Sequence, residues 1–95
     1  MDKKETKVIF RMFGDGQVIA MFPEVAADRI GKYCDSYMHV GQHSAASPKL
    51  VTTTTLASKE DYKDLFDELT KMGYNLKVVK YFSYTMQKKR MVTYV

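Results

Sequence analysis

Two runs rich in β-branched and aromatic residues open the pattern, residues 7–13 (Lys-Val-Ile-Phe-Arg-Met-Phe) and 17–22 (Gln-Val-Ile-Ala-Met-Phe). Between them stands Gly14-Asp15-Gly16. Asp-Gly between β-type runs is a hairpin signal, because a tight two-residue turn needs positive φ at both central positions. A turn at Asp15-Gly16 predicts Phe13 opposite Val18 and Met12 opposite Ile19. Val8, Phe10, Met12, Ile19 and Met21 then share one apolar face. Ile9, Arg11, Phe13, Val18, Ala20 and Phe22 form a mixed one. Pro23 is expected to end the second strand, since it has no N–H to give to a ladder. Residues 24–32 read as a connection, with room for one helical turn near Ala26-Ala27-Asp28.

Alternation returns over residues 33–40. Cys34, Ser36, Met38 and Val40 fall on one side, and Tyr33, Asp35, Tyr37 and His39 on the other. Residues 41–49 are loop-like in composition, and the threonine-rich run 50–56 favours a short strand. The clearest helix spans 58–73. Ser58 is a good N-cap with Asp61 at the third position, as in a capping box, and Gly73 is placed to close the helix. Tyr62, Leu65, Phe66, Leu69 and Met72 recur at helical spacing along one stripe. Residues 74–82 read as a further strand, and the tail 84–95 as a final hairpin around Gln87-Lys88-Lys89-Arg90.

These elements predict an α+β two-layer sandwich, with an antiparallel-rich sheet covered on one face by the helix 58–73. The uncovered face would show Arg11, Phe13, Phe22, Tyr37 and His39. The 95 residues fit one domain, a core of about 7–82 with an extension over 83–95.

Composition changes this picture little. An apolar fraction of 45% with 27% charged residues is that of an ordinary folded protein. The lone cysteine, Cys34, excludes an intramolecular disulfide and a zinc site built on several thiolates. No run approaches the ~20 apolar residues of a membrane span, and the charged start Met1-Asp2-Lys3-Lys4-Glu5 does not lead into a signal peptide. A cytoplasmic protein without a membrane partner is expected. Charge changes the picture more. The net +4 is concentrated in residues 74–95, where Lys77, Lys80, Lys88, Lys89 and Arg90 meet no acid. That segment is a candidate for phosphate contacts, although such residues also keep a sheet edge soluble.

Candidate chemistry gathers in Ser36-Tyr37-Met38-His39-Val40-Gly41-Gln42-His43, which holds both histidines. Along an extended chain four residues span ~13 Å, too far for His39 and His43 to share one ion with bonds near ~2 Å. Cys34 or Ser36 as a nucleophile would need a histidine within ~3 Å. Alternation places both opposite His39, while His43 beyond Gly41 is free to reach either.

The run Phe10-Arg11-x-Phe13-x-Asp15-Gly16-x-Val18-Ile19-Ala20-x-Phe22-Pro23-Glu24, followed by Ser36-Tyr37-x-His39-Val40-Gly41-Gln42-His43, resembles a family of small bacterial proteins carried by chromosomes, phages and transferable elements. Ser58-x-Glu60-Asp61-Tyr62-x-x-Leu65 and Gly73-Tyr74-x-Leu76 continue the likeness, which covers roughly residues 8–80. Ser44 stands where that pattern usually has glycine, and the tail from about Phe82 lies beyond it. The resemblance implies a single domain and carries no activity.

The residues therefore point to a small binding or accessory module without cofactor. Its partner is a protein, a nucleic acid or a second copy of the chain, met by Arg11, Tyr37, His39, Gln42 and His43. The alternative is a small enzyme or ligand-binding protein with His39 or His43 as acid–base or metal-contacting group. A third account has Tyr37, His39, Gln42 and His43 serving the loop itself by bonding its backbone.

Overall fold

The computed structural model describes residues 5–29, 31–38 and 42–92, without the side chains of Gln42 and Val92. The chain is an α+β domain, as the sequence predicts. Strands β1 (Glu5–Met12), β2 (Val18–Ala26), β3 (Cys34–Met38) and β4 (Gln42–Ala46) form an antiparallel meander. A 3-10 turn over Pro48–Thr52 carries the chain back to the far edge of β1. There β5 (Thr55–Leu56) pairs antiparallel with Arg11 and Met12. Helix α1 (Lys59–Lys71) crosses the sheet, and β6 (Asn75–Val78) returns parallel to the first half of β1. Helix α2 (Tyr84–Val92) ends the described chain.

The first hairpin differs from its expected register by one residue. Gly16 N–H donates to Phe13 O at 2.9 Å and Phe13 N–H to Gln17 O at 2.8 Å, so the loop has three residues. Gly16 has φ +91°, the left-handed residue that such a loop needs after its turn. Met12 therefore faces Val18 and Arg11 faces Ile19. A slip of one moves a whole strand's side chains to the other face. Phe10 now shares a face with Ala20 and Phe22, and Ile9 shares the other with Ile19 and Met21. Both faces become apolar, and both are covered.

Helix α1 covers the first. Ser58 and Asp61 form the expected capping box. Leu65 and Leu69 are buried, and Tyr62 and Phe66 pack with them on Val8, Phe10, Phe22 and Tyr37. Met72, expected on this stripe, is half exposed. The Tyr62 ring stacks on Phe10 with centroids 4.3 Å apart. Phe22 and Tyr37, expected on an open face, lie under this helix with 1% of their surface exposed.

The second face is closed without a long amphipathic helix. Leu50 of the 3-10 turn, together with Val79 and Phe82, packs on Ile9, Ile19, Met21, Cys34 and Ala46. The expected threonine-rich strand is thus mostly this turn and its exit. The Arg11 guanidinium holds it in place, donating from Nε to Thr54 Oγ1 at 3.0 Å and from Nη2 to the carbonyls of Val51 and Thr54.

The tail is a helix where the sequence suggests a hairpin. Its Met86 and Arg90 are buried. Arg90 donates to the carbonyls of Gly31 and Pro23, each at 2.7 Å. Gly31 has φ +75°, and a Cβ there would lie 2.8 Å from Met91 Cα. Only glycine lets α2 approach so closely. Pro23 lies within β2, where pairing with β3 is interrupted between Phe22 and Ala26, as a residue lacking N–H requires.

Candidate functional site

The β3–β4 pair carries the signature block, and its pleat sorts the side chains. Cys34 and Ser36 point to the face opposite α1, where Cys34 packs with Ile9 and Met21. Tyr37 points to the α1 face. The register sets His43 opposite Tyr37 and Ser44 opposite Ser36, so His43 shares the α1 face. The loop expected at 41–49 is in part the edge strand β4, which makes this placement definite.

The His43 ring lies 4.8 Å from that of Tyr37, 6.2 Å from Phe22 and 6.3 Å from Tyr74. Its Nδ1 stands 3.2 Å from Asp35 Oδ2, with side-chain exposures of 35% for His43 and 26% for Asp35. In the neutral tautomer whose Nδ1–H donates to Asp35, Nε2 on the opposite side of the ring is an acceptor. Beneath it the Tyr37 hydroxyl donates to Glu68 of α1. The Tyr74 ring stacks on Phe22 at 5.2 Å. Burial, and then the Asp35 carboxylate, push the Tyr74 hydroxyl pKa upward, so that phenol stays protonated. Asp35, His43 and Tyr74 thus form a partly exposed polar–aromatic surface, braced from below by Tyr37 and Glu68. Asp35, Glu68 and Tyr74 belong to the site although the sequence reading did not select them. The β alternation of Asp35 with Tyr37 was the available signal for the first. The other two come from distant segments.

The remaining candidates separate. Arg11 lies on the opposite face, bonded to the 3-10 turn and its exit, and is no part of this surface. His39 lies outside the described residues, and so does the side chain of Gln42. Ser36 Oγ donates to Ser44 O at 2.7 Å and Cys34 Sγ to Ala46 O at 3.5 Å, both across the sheet from His43. His43 therefore reaches neither, and neither Cys34 nor Ser36 is paired with this histidine as a nucleophile. Burial raises the Cys34 thiol pKa from 9.0 to about 11, which keeps it an unreactive thiol. Among the described residues no three His, Cys, Asp or Glu side chains are grouped to hold a metal ion.

The basic segment separates as well. Arg90 is buried on backbone carbonyls and unavailable to phosphate. Lys89 Nζ stands 3.5 Å from Glu24, which also pairs with Lys7 at 3.3 Å. Lys77, Lys80 and Lys88 are exposed, the last over the Tyr84 ring. Among the described residues no helix is long and apolar enough to cross a membrane.

No protein-family model, curated protein or solved structure matches the chain, so the functional reading rests on geometry.

Proposed function

We propose that the chain is a binding module that recognises a protein partner through the β4 edge, with His43 at the centre of the contact. The observation that supports this is the Asp35–His43 pair on a partly exposed aromatic surface beside an outermost strand. β4 holds no Lys, Arg, Asp, Glu or Pro among residues 42–46, and His43, Ser44 and Ala45 are exposed. Such an edge lacks the charges that usually discourage strand addition. A protein suits this surface better than a nucleic acid, because the Asp35 and Glu68 carboxylates repel phosphate.

A photoreactive side chain placed at Ser44 tests this in the producing cells. The reading expects one defined adduct, lost on His43→Ala or Ala45→Lys and absent from the same probe at Lys88. Identical adducts from both positions, or none from Ser44, would overturn it. A dimer of the chain itself would register as a doubled mass.

The Asp35–His43 pair also supports a second reading, in which Nε2 of His43 is an acid–base group toward a small ligand. A small molecule retained in native mass spectrometry, and lost in His43→Ala, would favour it over the protein partner.

A further inference from the structure

Two hollows adjoin along helix α2. The first, about 390 Å³, lies between α2, Gly31 and the 3-10 turn, and the exposed Lys32 and Lys49 line it together with the buried Gly31 and Arg90. The second, about 270 Å³, is formed by Tyr84, Gln87, Lys88 and Met91. Gln87 and Met91 line both, so one hollow leads into the other. Among the described residues no Asp or Glu lines either, whereas Lys32, Lys49, Lys88 and Arg90 do. Arg90 donates to two backbone carbonyls, neutral acceptors that leave its charge in place. Acids on the neighbouring segments are engaged elsewhere: Asp28 accepts from the Tyr33 N–H at 3.0 Å, and Glu24 pairs with Lys7 and Lys89. Tyr84 is 73% exposed, with the Lys88 ammonium 5.6 Å from its ring centroid. The Lys32 ammonium stands 5.8 Å from the Tyr33 ring, so each hollow has a lysine beside a tyrosine.

We infer that the joined hollows bind a single-stranded nucleic acid, with its phosphates toward Lys32, Lys49 and Lys88 and a base stacked on Tyr84. Four cationic side chains without a lining acid attract a polyanion along the track. A tyrosine as exposed as Tyr84 keeps an open ring face, and a base laid on that face gains stacking energy whatever its identity. Met91, half exposed at the junction, gives the strand an apolar contact beside the ring. A duplex is a poorer occupant, because its bases are stacked on one another and present no face to Tyr84. An acidic peptide meets the lysines but brings no regular succession of flat rings. A bilayer surface touches projecting groups, whereas buried Gly31 and Arg90 belong to the lining here. The inference shares no residue with the His43 surface and stands apart from the protein-binding reading of that surface.

The probe is a fluorescein-labelled twelve-nucleotide oligothymidylate, titrated with the full chain and read by anisotropy. The same strand annealed to its complement, polyglutamate, and phosphatidylglycerol vesicles are the comparisons. The single strand should bind saturably, and more weakly as salt rises. Tyr84→Ala should weaken it about tenfold, the scale of one stacked base, while Tyr84→Phe retains binding. Reversing Lys32 and Lys49 together to Glu should also weaken it about tenfold or more, whereas the equal charge change at Lys59 and Lys63 on α1 leaves it nearly unchanged. The substituted side chains are exposed or half-buried, and circular dichroism confirms that each variant is folded. Failure to saturate, indifference to Tyr84→Ala, or equal weakening by the two double reversals would overturn the inference. Tighter binding of the duplex, displacement of the strand by polyglutamate at equal charge, or retention of the chain on the vesicles in preference to the strand would overturn it as well, in favour of a duplex, an acidic protein or a lipid surface respectively.

Discussion

Under α1 the sheet is covered by one amphipathic helix whose apolar stripe recurs at helical spacing. On the opposite face it is covered by pieces of chain that no periodicity connects. The first face is held by dispersion and the hydrophobic effect, with Tyr62 stacked on Phe10 and Leu69 fully buried. The second relies in addition on two arginines that satisfy backbone carbonyls: Arg11 for the turn and Arg90 for the tail. A short 3-10 turn and a nine-residue helix have little stability of their own. Fixing them by charged hydrogen bonds to carbonyls gives each one defined position. Hydrophobic contact is tolerant of sliding; a guanidinium bonded to two carbonyls is not.

The comparison is broken most directly by deleting residues 84–95. If α2 is structural cover, the shortened chain loses the buried Met86 and Arg90 and leaves the carbonyls of Gly31 and Pro23 without their donor. It should fail to give a cooperative urea transition, since a small domain has only about 5–15 kcal/mol in total. A truncated chain that unfolds cooperatively with near-intact stability would make the second face dispensable.

Next in size is Leu69→Ala on the first face, expected to cost about 3–5 kcal/mol because the side chain is wholly buried beneath α1. Phe66→Ala should cost less, because Phe66 is only half buried. Arg90→Ala tests the second face by a different mechanism. It strips the carbonyls of Gly31 and Pro23 of their donor and should cost about 3 kcal/mol, the scale of two charged hydrogen bonds less partial rehydration. Arg90→Lys should recover little of it, since one ammonium cannot reproduce the two-carbonyl fork. Equal stability of Arg90→Lys and the parent in urea would show packing alone to be enough.

Cys34 sharpens the comparison without perturbing it. Burial pushes the thiol pKa of the folded chain up to about 11, from an ordinary value of 9.0. Stability from this group is full below pH 9 and falls as pH rises toward 11, because only the unfolded chain ionises readily in that window. Alkylation of Cys34 by iodoacetamide at pH 8 should therefore follow opening of the second face, and should speed up in Arg90→Ala more than in Phe66→Ala at matched stability. The smallest effect belongs to the helix cap, where Ser58→Ala should cost about 1 kcal/mol by urea titration. The hydrogen bonds from Ser58 lower the Asp61 pKa, so the cap's contribution is present above the ordinary carboxylate range and fades as pH falls.

Local rules were enough for α1. Its cap, its closing Gly73 and its stripe of Tyr62, Leu65, Phe66 and Leu69 all follow from residues within a few positions of one another. The alternation of Cys34 and Ser36 against Asp35 and Tyr37 was equally legible, because a pleat has period two wherever the strand goes. The hairpin was legible as a hairpin but not in register. Gly14-Asp15-Gly16 serves two- and three-residue loops alike, and burial of both faces selects the longer. The tail misled because a short helix without a strong apolar stripe carries little local signal, and its place depends on a close approach to Gly31, some 60 residues away.

The candidate site divides in the same way. The sequence by itself marked Tyr37 and His43 as residues of interest and placed Tyr37 on a strand. Only the tertiary structure decided that Tyr37 is a buried brace against Glu68, that Asp35 and Tyr74 join His43 at the surface, and that Arg11 and Arg90 hold backbone in place. A side chain's type states what it can bond to, and that much is written in the chain. Which partner it meets depends on strand register and on which segment covers which face, and those are set by the burial of the whole apolar surface at once.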